Sequence, residues 1–475
     1  MRHDGNATSA LRLLACVWLA LCAACGDAAP RPNVLFVSID TLRADRLGCY
    51  GYERPTSPAI DAFAAEGVLF EQCFAHHGAT WPSLSSIMTG KHPLVHGVRK
   101  NGDMLVPTQR TLAEELLARG YQTAAFLTNM IEAPNRGFET KYVPPLPLVS
   151  DVQWDRLATD EAVRWLTTRA DPRPFFAWVH LMQPHKPYHP PPKLAKVFEP
   201  DLQGPWRIDD EMLDQITLSD AELAPQDLAH IQAQYDAQIV SVDALVKELL
   251  DALAKSGQAE NTLVVFFSDH GEELYDHRKY FFHSCSLYDG VLRIALALRM
   301  PGRIPAGRRV SKQVSQIDLT ATVYELCDVP PPAGLQGQSL VPLFTDDDAP
   351  HPELFVGEYG ELGEPALWTV RDGRWKYIHN PHDVRPNNPP FSSKASGGFR
   401  YEARELYDTH ADPREQTNVA AEHPDVVARL EKELEAWLAA NEALRGTAGE
   451  MDAATRERMK QLGYIGDETS VDDAK

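Results

Sequence analysis

Cysteine is scarce and badly placed for chemistry. Of the seven in 475 residues, Cys16, Cys22 and Cys25 fall in the first 25 positions, and Cys49, Cys73, Cys285 and Cys327 lie far apart with no C-x-x-C spacing. A thiolate zinc cage and a dithiol redox pair are thereby excluded, and the four later cysteines read as buried small hydrophobes or, in an exported chain, as residues open to oxidation. Positive charge is also in deficit: 46 basic against 67 acidic residues leave a net charge of −21. That balance argues against a nucleic-acid partner, and any anionic substrate must be drawn in by a local positive group such as a metal. No apolar run is long enough to span a bilayer, and no internal repeat is present.

The apolar run LLACVWLALCAAC is short, follows Arg2 and Arg12, and ends in small residues. Residues 1–25 therefore read as a secretory signal peptide, and the chain as an exported protein of the periplasm or cell surface. The ending LCAAC before Gly26 also resembles a bacterial lipobox, which would make Cys25 a lipidated first residue and tether the protein to a membrane. Ordinary cleavage near Ala28 or Ala29 is the alternative.

From Asn33 onward, short apolar β-rich runs alternate with amphipathic segments. NVLFVSI, TAAFLT, PFFAWVHL and TLVVFFS read as strands; SPAIDAFAAEGV, TLAEELLARGY and the long AQYDAQIVSVDALVKELLDALAKSG read as helices that stop at glycine. Alternation of this kind predicts an α/β fold, a large mostly parallel sheet flanked by helices on both faces. The texture changes after Pro350. A hairpin is expected around Asp372 and Gly373, then a Pro/Gly/Ser-rich loop, then a helix from Pro424 whose Val427, Leu430, Leu434, Trp437 and Leu438 form a packing face. The expected organisation is a catalytic domain over 32–350, a smaller α+β subdomain over 351–445 and a tail over 446–475.

Ligands of open α/β sheets gather beyond the carboxyl ends of the strands. Asp40 follows the first strand, His180 and His185 close the PFFAWVHL run, and Asp269 with His270 follow TLVVFF. Two carboxylates and an imidazole suit a divalent cation. SDHGEEL by itself is weak evidence, since Asp-His-Gly also makes a turn after a strand.

Seven segments in order carry a resemblance: RPNVLFVSIDTLRADRLGCYGY, TSPAIDAFAAEGVLFEQCFA, PSLSSIMTGKHPLVHGV, PFFAWVHLMQPHKPY, TLVVFFSDHGEEL, SLYDGVLRIALALRMPG and ELYDTHADPREQTNVA. From about Pro32 to Leu438 the chain resembles the sulfatase family of the alkaline phosphatase superfamily. The resemblance implies a metal-assisted hydrolase of sulfate or phosphate esters. On the matching positions Asp40, Asp269 and His270 would hold one divalent cation, usually calcium, with manganese or zinc as alternatives. His185 would touch the anionic group or protonate the leaving oxygen, and His283 would lie near the transferred group.

One cassette departs from the pattern. Sulfatases carry C-x-P-x-R or S-x-P-x-R, whose first residue becomes formylglycine, whereas this chain reads Thr80-Trp81-Pro82-Ser83-Leu84. Threonine cannot yield the same aldehyde because its β-carbon already bears a methyl group. A cation beside it would lower the hydroxyl's pKa, so Thr80 is the expected nucleophile and an additional metal-site member, forming an ester that water must later hydrolyse. GYQTAAFLTNM stands where many sulfatases place GKWHLG, removing positive charge from a standard sulfate pocket. The expectation is therefore a sulfatase-family hydrolase of sulfate or phosphate esters. The alternatives are a phosphodiesterase, phosphonate or phosphomonoester hydrolase, a phospho-headgroup transferase, or an inactive binder. His76 and His77 read as a solvated loop pair, His189, Arg43 and Lys100 as rim contacts, and Asp236 as a structural hydrogen-bond partner.

Overall fold

The computed structural model describes residues 31–128, 131–145, 151–199, 208, 212–213, 216, 222–277, 281–360, 367–382 and 401–461. The leader, Asn129, Met130, most of the Pro/Gly/Ser-rich loop and the end of the tail lie outside them. Its main sheet is built from β1 (Asn33–Ile39), β2 (Val68–Phe74), β4 (Gln122–Leu127), β5 (Thr140–Tyr142), β6 (Phe175–Leu181), β7 (Thr262–Ser268), β8 (Arg293–Ile294), β9 (Leu296–Arg299) and β10 (Arg308–Ser315). A two-residue strand β3 (Met104–Leu105) lies apart from it. The strand order is β10-β2-β9-β7-β1-β6-β4-β5, with β8 on β2. Every pairing is parallel except those of β8 and β9, so the expected sheet is present with an antiparallel insertion that apolar patterning does not announce.

β1 runs between β6 and β7 and is buried along its whole length. Its sequence is apolar on both faces because both are covered. Leu35, Val37 and Ile39 pack beneath the helix Pro225–Lys255, while Val34 and Phe36 pack on the other side with Trp81, Leu84, Ile87 and Met88 of the helix Thr80–Thr89. The same alternation runs through its neighbours. Phe176 and Trp178 of β6, and Leu263, Val265 and Phe267 of β7, share the Thr80-helix side. Residues two apart on a strand face the same way, so that side also receives Asp40, His180 and Asp269.

A second, antiparallel sheet follows in the order β11 (Phe355–Tyr359), β12 (Leu367–Arg371), β13 (Trp375–His379) and β14 (Arg404–Asp408). Gly373, at φ 91°, turns β12 into β13. The helix Pro424–Glu442 buries Val427, Leu430 and Leu434 against Val356, Trp368, Val370, Tyr377 and Leu406. The chain then returns to the main body, where β15 (Ala448–Gly449) pairs with β3. The first strand of this small sheet abuts the loops around the helix Thr80–Thr89: Arg99 Nε bonds Glu358 Oε1 at 2.6 Å, and His76 Nδ1 bonds the Val356 carbonyl at 2.6 Å. No helix among the described residues is long and apolar enough to cross a membrane.

Candidate active site

Thr80 opens a ten-residue helix in which every residue is buried, including Leu84 at the position of the family's arginine. Pro82 in the first turn lacks the N–H that would have no partner there, and Gly90, at φ 64°, closes the helix in the left-handed region. The left-handed backbone calls for glycine here; a Cβ would also meet Leu335 Cδ1, the end of a side chain that can swing aside. Ser83 Oγ ties the helix to the strand end opposite, bonding the Asp269 carbonyl at 2.6 Å and Gln316 Oε1 at 2.9 Å. The positive end of the helix dipole thus points at the carboxyl edge of the sheet, a disposition suited to anions.

At that edge the ligand atoms of Asp40, His180 and Asp269 all lie within 4.8 Å of one another, and the three residues are buried. His270 Nε2 stands 3.5 Å from Asp269 Oδ2, 3.8 Å from Asp40 Oδ1 and 3.4 Å from Thr80 Oγ1. Asp40, Thr80, Asp269 and His270, singled out in the sequence, are therefore gathered at one place, and His180 joins them at 3.5 Å from Asp40 Oδ2. His180 escaped selection as a ligand because a histidine inside an apolar strand reads as core until the neighbouring strands show which face it occupies.

Hydrogen bonds set the imidazoles. His270 Nδ1 donates to the Gly271 carbonyl at 3.0 Å, which directs the Nε2 lone pair toward Thr80 and the carboxylates. Ser38 Oγ contacts the Val179 carbonyl at 3.4 Å, accepts from Trp178 Nε1 at 2.8 Å and meets His180 Nδ1 at 2.8 Å. With Ser38 donating to Val179, His180 donates from Nδ1 and its Nε2 lone pair faces Asp40. Asp269 accepts the Thr41 and His270 amides on Oδ1, at 3.2 and 2.8 Å, while its buried Oδ2 has no hydrogen-bond partner among the described residues. A buried carboxylate oxygen without a donor, beside a second carboxylate and two imidazole lone pairs, is a donor set that fits a divalent cation. Burial and the neighbouring Asp40 charge push Asp269 up to about 6. Burial also works against Asp40 ionising, but the surrounding imidazoles of His180, His185 and His270 outweigh it and hold that carboxyl below the usual range.

His185 and His283 converge on the same place from separate loops. Their rings lie 5.1 Å apart, and His283 lies 4.5 Å from His270. Asp155, wholly buried, accepts the Met182 and Gln183 amides at 2.6 and 3.0 Å and so shapes the turn that delivers His185. His283 Nδ1 bonds Glu272 Oε1 at 3.2 Å. Burial and the charges of His270 and His185 keep His283 well below an ordinary histidine.

The solvated reading of His76 and His77 is overturned. His76 is clamped between the Val356 carbonyl and Ser315 Oγ, and His77 is buried with its Nδ1 accepting the Ala79 amide at 3.1 Å, one residue before Thr80. Burial and the Arg99 charge lower His77 to about 3. The loop is covered by the second sheet, which local sequence cannot reveal. Arg43 is likewise buried, bonded by Asp45 and Asp276, whereas Lys100 is exposed. Asp236 accepts Arg46, Tyr52 and Arg54.

The profile of the N-sulphoglucosamine sulphohydrolase C-terminal region matches residues 274–386. Arylsulfatase K of Rattus norvegicus is 26% identical over 457 residues, covering 86% of this chain and 78% of the relative. N-acetylglucosamine-6-O-sulfatase of Bacteroides thetaiotaomicron is 24% identical, covering 87% of each. Among solved structures, a protein in complex with its substrate D-glucosamine-2-N,6-O-disulfate superimposes with TM-score 0.71 at 22% identity, covering 86% of this chain and 97% of that one. The phosphonate monoester hydrolase of Agrobacterium radiobacter gives 0.70 at 24%, covering 86% and 96%. The sulfatase profile itself matches residues 32–329, more than half of the chain and all of the candidate residues above, and the protein accordingly belongs to the sulfatase family of hydrolases.

Proposed function

We propose that this chain hydrolyses anionic esters through a covalent ester on an unmodified Thr80, and that it is exported and held at a membrane by a lipid on Cys25. The observation that carries the catalytic reading is the Thr80 hydroxyl itself, buried at a helix N-terminus and 3.4 Å from His270 Nε2, beside two carboxylates and His180. Asp40, Asp269, His180 and His270 would hold the cation. Their imidazoles favour manganese or zinc over the calcium that the family resemblance suggests, because calcium prefers an all-oxygen shell. When bound, such a cation supplies a lower pKa for the neighbouring hydroxyl and offsets the charge that builds on the transferred group.

The chain's own groups account for the protons. Thr80 Oγ bonds to the phosphorus or sulfur as the bond to the leaving oxygen breaks. His283, oriented by Glu272, takes the Thr80 proton, and His185 donates one to the leaving oxygen. In the second half His185 removes a proton from the attacking water, and His283 returns its proton to Thr80 as the ester is cleaved. On this proposal the catalytic unit spans 32–350 and the smaller subdomain 351–445.

A formylglycine hydrate releases sulfate by elimination from its second hydroxyl, a route that a threonine ester lacks. Phosphate monoesters, diesters or phosphonates are therefore expected to turn over at least as well as sulfate esters. The same fold houses a phosphonate monoester hydrolase, so the sheet edge does not itself demand sulfur. The test is a panel of aryl sulfates, phosphate monoesters, diesters and phosphonates with manganese, zinc or calcium added. Robust sulfatase turnover with no phosphoryl or phosphonyl hydrolysis reverses the substrate assignment.

A further inference from the structure

The opposite edge of the main sheet, where β1, β4, β6 and β7 begin, carries a cleft of about 530 Å³ lined by Arg31, Arg119, Arg169 and Arg173. Among the described residues Asp171 is the one carboxylate in its lining, which makes the cleft locally cationic on a chain of net charge −21. Two of the guanidinium groups are compensated: Arg173 pairs with Asp171 at 2.7 Å and Glu139 at 3.2 Å, and Arg119 pairs with Glu115. Among the described residues the other two meet only neutral oxygens. Arg31 donates to the Arg119 carbonyl at 2.9 Å. Arg169 donates to Gln122 Oε1, Gln258 Oε1 and the Arg173 carbonyl, and lies against the rings of Trp165 and Phe175. Those contacts fix the position of the Arg169 charge, whose nearest anionic neighbour, Asp171, is already paired with Arg173. Asn33 stiffens the floor through bonds to Thr262 Oγ1 and the Phe175 amide, at 3.3 and 3.0 Å.

We propose that this cleft is a second anion site, which takes a phosphate group from the headgroup of an anionic membrane lipid or from free inorganic phosphate. Planar guanidinium forks match the oxygens of such a group, and Arg31 and Arg169 have charge to offer it. The site is separate from catalysis, because the length of β1 alone puts about 20 Å between the two edges of the sheet. The lipid source is favoured by where Arg31 stands, six positions after Cys25 and so within about 20 Å of extended chain. A chain tethered at Cys25 would set this arginine face on the bilayer and turn the Thr80 edge outward. That orientation rests on the anchor reading proposed above; the anion site does not.

The test uses the full chain carrying Cys25→Ala, so that no acyl group contributes and any leader contributes equally to every variant. Arg31→Gln, an exposed position that cannot unfold the core, is compared with Arg31→Gln/Arg169→Gln. The probes are vesicles of phosphatidylglycerol in phosphatidylcholine, vesicles of phosphatidylcholine alone, and inorganic phosphate followed by titration calorimetry. The single variant should weaken binding about tenfold, the double variant should abolish it, and turnover of a soluble ester should be unchanged. Loss confined to phosphatidylglycerol vesicles identifies the headgroup, and loss confined to inorganic phosphate identifies the free anion. Equal binding of both probes by parent and variants, or no binding by the parent, overturns the site. Fractionation of native and Cys25→Ala cells tests the anchor separately.

Discussion

Replacing Thr80 by alanine separates chemistry from packing. The side chain is 3% exposed, and its one described hydrogen-bond partner is His270 Nε2 at 3.4 Å, a long contact of little energy. Alanine therefore forfeits one buried methyl group and a weak hydrogen bond, together about 1–2 kcal/mol of stability. The catalytic loss is of another order. On the proposal that Thr80 is the nucleophile, its loss closes the covalent route, and turnover should fall at least about a thousandfold, equivalent to about 4 kcal/mol. Serine keeps the oxygen but loses the methyl group that restricts its rotamer, so a fall of about tenfold is expected. The assay pairs turnover of the best ester with a thermal melt of each variant and mass spectrometry of the peptide spanning His76 to Lys91. That peptide should carry an ordinary threonine at rest and a phosphoryl or sulfuryl adduct when turnover is quenched, with no adduct in the alanine variant. Full activity in Thr80→Ala, or an adduct on another residue, refutes the nucleophile assignment.

Asp269→Asn should lower activity at least about a hundredfold and metal content in parallel, while the melting temperature holds or rises. Asparagine keeps Oδ1 for the Thr41 and His270 amides and relieves the charge repulsion with Asp40; undiminished turnover in chelator-treated protein shown by elemental analysis to be metal-free would falsify the cation's role. Burial, followed by the charges of His76 and His77, lowers His96 from 6.5 to about 3. Below 6.5 the unfolded chain takes up a proton there that the folded chain refuses, so His96 costs stability at about 1.4 kcal/mol per pH unit as pH falls toward 3. In urea titrations at pH 7.5 and 5.5, His96→Gln should lessen the loss of stability at the lower pH by about that amount; an unchanged difference is the contrary result. Native protein should partition with membranes and Cys25→Ala should not; a soluble native protein starting near Ala29 would retire the lipid anchor and leave catalysis untouched.

The sequence alone determined the fold class and the places where chemistry could sit. NVLFVSI and TLVVFFS are β1 and β7 residue for residue, because strands covered on both faces must be apolar nearly throughout. Asp40 and Asp269 were legible for the same reason, as charges that interrupt such runs at their carboxyl ends. The helix Thr80–Thr89 was not. Trp81, Leu84, Ile87 and Met88 do recur at helical spacing and face the sheet, but the run is short, carries Pro82, and its serine face is buried as well, so it does not show the exposed polar side that marks an amphipathic helix. His180 became a ligand candidate only when pairing of β6 with β1 placed it opposite Ser38 and beside Asp40. The burial of His76 and His77 came from a second sheet nearly 300 positions further along the chain. The arginine cleft likewise joins residues 31, 119, 169 and 173 through the starts of four strands. Local patterning carries what each residue prefers, but which residues share a charge, a cavity or a cation is decided by strand order and register, and those are set by long-range packing.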